Sequence, residues 1–108
     1  MRIVEGASLT NNRVGTHERI LHAMGVIEKL HQEQTGREAV FTSVMDGQHS
    51  ISSRHYSGLA VDARIWYISE PQLAGFAETL RSLLGDDYDV VLESDHLHIE
   101  WDPKYRKV

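Results

Sequence analysis

The stretch "YDVVLESDHLHIEW", residues 88–101, decides how this chain is expected to fold. Two β-prone runs, "YDVVLE" and "HLHIEW", flank Ser94 and Asp95, so the segment reads as an antiparallel hairpin with a tight "SD" connection. A period of two puts Leu97, Ile99 and Trp101 on one face of the second strand and His96, His98 and Glu100 on the other. The apolar face requires cover, and helices are expected against it. The histidine face is then left open.

The same alternation recurs upstream in "LAVDARIW", residues 59–66. Leu59, Val61 and Ala63 share one face, and Ala60, Asp62 and Arg64 the other. Before it, "REAVFTSV" is rich in β-formers and closes on "DG" at 46–47, a turn that Asp46 opens. The intervening "QHSISSRHYSG" is polar and aperiodic and reads as an ordered loop.

Two helices supply the cover. "THERILHAMGVIEKLHQEQTG" has Thr16 as N-cap, Ile20, Met24, Ile27 and Leu30 on one face, and Gly36 as its stop. His17, His22 and His31, on or near this helix, read as solvated and without a role. In the second, Ser69 and Gln72 form a capping box and Pro71 sits in the first turn. Its stripe is Leu73, Phe76, Ala77, Leu80 and Leu84, with Gly85 as the C′ residue. The order helix, strand, strand, helix, strand, strand predicts an α+β domain, residues 1–108, with both helices on one face of a small, largely antiparallel sheet.

Composition narrows the function. The 108 residues suit one modest core, and a net charge of −5 with scattered Lys and Arg argues against nucleic-acid binding. No apolar run approaches the roughly 20 residues of a membrane span, and "MRIVEGASLT" lacks the apolar segment of a signal peptide. Synthesis in the cytoplasm without a signal peptide is therefore expected. With no cysteine, a transition metal would need His and carboxylate ligands, and seven histidines make that worth testing.

If the two alternating strands share a sheet, Asp62 and His98 face the same open side, and His55 can fold over it from the preceding loop. Three such ligands leave the fourth position of a tetrahedral zinc for water. Glu93, Asp95 and His96 flank His98 as candidate bases. Simpler readings stand beside these. Asp62 is equally a strand-end carboxylate taken up by Arg64 or a backbone amide, Gly58 a plain turn glycine, and the H-x-H pair an exposed face without metal.

"SRHYSGLAVD" resembles the S-x-H-x-x-G-x-A-x-D signature of the zinc D-Ala-D-Ala carboxypeptidase and peptidoglycan endopeptidase family, whose fold the hedgehog signalling domains share. Ser53, His55, Gly58, Ala60 and Asp62 occupy its fixed positions. "DHLHIE" resembles the family's second signature, an acidic residue or His just before a zinc-binding His in a late strand. The likeness covers roughly residues 38 to 102 and is nearest to a compact phage-type branch.

The resemblance implies a hedgehog/DD-peptidase-like fold, Zn²⁺ held by His55, Asp62 and His98, and hydrolysis of peptidoglycan stem or cross-bridge peptides. It implies Asp95 as general base, His96 beside the metal as oxyanion or base support, and action at the bacterial cell wall if the protein is a lysin. Glu93 fits a competing E-x-x-H register in which His96 would be the ligand. The arginine that many members place before the first motif has no counterpart in "TSVMDGQHS". Arg54, Arg64 and Gln48 are candidates to replace it, Ser53 to orient loop or substrate, and His49 to stand behind the metal. The alternative function is a catalytically inactive, zinc-containing binding or virion-associated module.

Overall fold

The computed structural model describes residues 1–4, 16–46 and 59–102. The elements run β1 (Arg2–Ile3), α1 (Thr16–Thr35), β2 (Val40–Asp46), β3 (Leu59–Arg64), α2 (Glu70–Leu84), β4 (Tyr88–Leu92) and β5 (His96–Trp101). The architecture is α+β: a five-stranded, mostly antiparallel sheet ordered β1-β2-β3-β5-β4, with two helices. β1, paired parallel with β2, was not expected, because two residues carry no readable alternation.

Strand order follows from the connections. The right-handed logic of a β-helix-β crossover leaves β3 and β4 parallel with a gap between them. β5 returns through the tight turn and fills that gap, antiparallel to both. The turn closes with the Glu93 N–H donating to the His96 carbonyl at 2.8 Å. As a result the two polar strand faces, 36 residues apart in sequence, become immediate neighbours, with Asp62 opposite His98.

The core lies between one sheet face and both helices. Ile20, Ala23, Met24, Ile27 and Leu30 of α1 and Phe76, Ala77, Leu80 and Leu84 of α2 are buried against Phe41, Leu59, Val61, Ala63, Val90, Leu97 and Ile99. Leu73 and Trp101 are half-buried at its margin. The helices end where left-handed glycines allow: Gly36 at φ 74° and Gly85 at φ 88°, each returning its N–H to the preceding turn. Glu28 fastens α1 to the sheet, its Oε1 accepting the Ala39 N–H at 2.8 Å just ahead of β2.

Two local expectations need correction. His31 is not solvated; it is 2% exposed. Its Nδ1 hydrogen-bonds the Arg37 carbonyl at 2.8 Å, and its ring meets Phe76 and Tyr67 edge-on, so it serves as a packed polar staple at the α1 C-terminus. Ser69 occupies the N-cap of α2, but its hydroxyl caps no backbone amide. It donates instead to Gln72 Oε1 at 2.9 Å, while the Gln72 N–H reaches the Ser69 carbonyl. At the start of α1, the side chains of Thr16 and His17 lie outside the described residues.

Candidate metal centre

The helix-free face of the sheet concentrates charge on β3 and β5. Asp62 and His98 are cross-strand partners, as are Arg64 and His96, and Ala60 and Glu100. His98 lies between two carboxylates, with Nδ1 2.7 Å from Asp62 Oδ1 and Nε2 3.1 Å from Glu100 Oε1. His96 extends the chain: its Nε2 is 3.8 Å from Asp62 Oδ1 and its Nδ1 2.6 Å from Asp95 Oδ1. All four inner side chains are about three-quarters buried, whereas Asp95 is exposed.

The electrostatics follow from that enclosure. Partial burial opposes a charged ring, but the hydrogen bonds and charges of Glu100 and Asp62 outweigh it and hold the His98 imidazole above its ordinary value of 6.5. With both ring nitrogens protonated, His98 donates one N–H to each carboxylate. Loss of the Nδ1 proton leaves Nε2–H on Glu100 and a lone pair facing Asp62, the tautomer required of a ligand.

The donor set fits a zinc ion in part. Two atoms bound to tetrahedral zinc at about 2.0–2.1 Å stand roughly 3.3 Å apart. Asp62 Oδ1 lies 2.7 Å from His98 Nδ1 and 3.8 Å from His96 Nε2, bracketing that spacing. Among the described residues, however, no group of three or more His, Asp or Glu side chains is arranged to hold a metal ion. His55, the expected third ligand, lies outside the described residues, as do Ser53, Arg54, Gln48, His49 and Gly58.

Of the remaining candidates, Asp95 stands at the turn bound to His96, and Glu93 is exposed one residue beyond β4. Asp62 is taken up by His98 rather than by Arg64, whose guanidinium stacks on Trp66 at 3.7 Å. Glu100 is the partner that sequence reasoning placed on this face but left without a task. Its position two residues after His98 on the same strand was the available signal. A cleft of about 240 Å³ opens beside His96, lined by Thr42, Arg64, Trp66, Asp95 and His96. A larger hollow of about 500 Å³ lies on the helix side, but Arg19 stacks on Trp101 in its wall, and none of the Asp62–His98 cluster reaches it.

No family model matches the chain, and no curated protein or solved structure matches it either.

Proposed function

We propose that the protein is a zinc-dependent peptidase, of hedgehog/DD-peptidase-like fold, that hydrolyses peptidoglycan stem or cross-bridge peptides. The observation that carries this reading is the meeting of Asp62 and His98, drawn from the two separate signature-like motifs, at 2.7 Å on an open sheet face. A buried ion pair made only for stability would not need a second carboxylate on the same ring. Glu100 supplies one, in the arrangement that orients metal-ligating histidines.

In this reading Asp62, His98 and His55 hold the ion, and Glu100 fixes the His98 ring. Zinc, when bound, supplies Lewis acidity and lowers the pKa of a water toward roughly 7. Asp95, at the mouth of the cleft, accepts the water proton and returns it to the leaving amine, and His96 holds the Asp95 carboxylate in place at 2.6 Å. If the protein is a lysin, it acts at the bacterial cell wall.

The test is incubation of zinc-loaded protein with purified sacculi, scored by new amino groups. Release that disappears in His98→Ala is expected. Stoichiometric zinc without any release would replace the enzyme by a zinc-containing binding module.

A further inference from the structure

The two edges of the sheet are protected differently. β1 is two residues long and offers almost no ladder, whereas β4 offers five residues, among them the exposed Val91 and Leu92. The hydrogen-bond phase of β4 can be read from both ends of the hairpin. The Glu93 N–H donates to the His96 carbonyl at 2.8 Å, and the Asp102 N–H to the Asp87 carbonyl at 2.7 Å. With the register fixed between them, Asp89 and Val91 turn their backbone groups toward β5, and Tyr88, Val90 and Leu92 turn theirs outward. A hollow of about 540 Å³ runs along that outer side, lined by residues 88–91 of the strand and by Arg81 of α2.

One side chain crosses this edge. Arg81, in the last turn of α2, donates twice to the Val90 carbonyl, from Nη2 at 2.9 Å and from Nε at 3.1 Å. Its Nη1 is held at 2.8 Å by Glu78 Oε2, one turn earlier on the helix. The Val90 carbonyl is the middle outward acceptor of the strand, and charge-assisted bonds close it to any incoming N–H.

We propose that Arg81 is a guard on the β4 edge: seated on the Val90 carbonyl, it keeps the chain from pairing β4 to β4 with a second copy of itself. A second copy is the partner because β4 is complementary to itself in antiparallel register. Centred on Val90, the pairing exchanges N–H···O bonds between the two Val90 residues, and between Tyr88 and Leu92 of opposite copies. Tyr88 then lies across from Leu92, an aromatic–aliphatic pair, and Asp89 across from Val91, so no carboxylate faces another. The central exchange needs the oxygen that Arg81 holds. No group of the Asp62–His98 cluster takes part, so the guard is independent of the zinc reading.

Sedimentation velocity of the full chain across a concentration series tests it. The wild type is expected at the mass of one chain throughout. Arg81→Met keeps the apolar stem and removes the donors, and its mass should move toward two chains as concentration rises. Arg81→Lys, still able to donate to the carbonyl, should stay closer to the wild type. Adding Leu92→Pro to Arg81→Met should restore the single chain, because that N–H points outward and is not used by β5. The pairing is two-fold and closes on itself, so a mass beyond two chains contradicts it. A wild type that dimerises, a folded Arg81→Met chain that stays single, or a dimer that Leu92→Pro leaves intact would each overturn the guard. If Arg81→Met does not fold, Glu78→Ala loosens the same guanidinium from an exposed position, and a single-chain mass there overturns it too.

Discussion

β5 has two faces that obey different physics. Leu97 and Ile99 are fully buried against both helices, whereas His96, His98 and Glu100, alternating with them, stay partly open and bound to one another's charges. The buried face needs only apolar volume, which many sequences supply. The open face holds four ionisable groups, His96, His98, Glu100 and Asp62 of β3, within hydrogen-bonding or ion-pair reach. These side chains are about three-quarters buried, so gathering their charges costs desolvation that pairing only partly offsets, and such crowding is weak evidence for a stabilising role. That asymmetry is the reason to assign the open face a function and the other face a structural role.

The largest expected effect belongs to the buried face. Leu97→Ala leaves a cavity under α1 and α2 and should cost about 2–5 kcal/mol in urea unfolding. His98→Ala, one residue away, should cost the metal-free chain less. A reversed order would make the open face the structural one. Next comes turnover: Asp95→Asn should keep fold and zinc while cutting wall-peptide hydrolysis roughly 10²–10⁴-fold, the span for losing a general base. Glu93→Gln is its control and should change little. If Glu93→Gln abolishes cleavage and Asp95→Asn does not, the E-x-x-H register is correct. Glu100→Ala should lower zinc affinity about 10–100-fold in a competition titration, because it removes the acceptor that orients His98.

The smallest effect is a difference of slope with pH. Folding raises the proton affinity of His98, so in the metal-free chain this group's stabilisation is full below about pH 6.5 and fades as pH rises through the higher folded value. Zinc requires the ring deprotonated, so stabilisation by added zinc should grow over the same interval. Thermal melts between pH 5.5 and about 8.5, with and without zinc, should therefore diverge as pH rises. In His98→Gln both dependences should flatten.

Much of this contrast was legible in the sequence, because period-two alternation assigns residues to faces whatever the strand order. Asp62 and His98 were expected on one open side, and the structure makes them direct cross-strand partners. Both helices, their buried stripes and their glycine stops follow from local pattern in the same way. What stayed hidden depends on partners distant in sequence or on side-chain choice. His31 sits on a helix rich in polar residues, and nothing local reveals that Tyr67 and Phe76 will enclose it. Ser69 and Gln72 have capping-box spacing, yet the two side chains bond each other instead. The stack of Arg64 on Trp66 is a side-chain choice that no local pattern announces.

The central claim is that Asp62 and His98 are a ligand pair and not merely an ion pair. Metal analysis after dialysis against limiting zinc tests it most directly, using the wild type, Asp62→Ala, His98→Ala and His96→Ala. The expected result is about one zinc per chain in the wild type and in His96→Ala, and none in Asp62→Ala or His98→Ala, as three N/O ligands and a water require. A wild type that retains no zinc, or a His98→Ala chain that keeps it while His96→Ala loses it, would contradict the account.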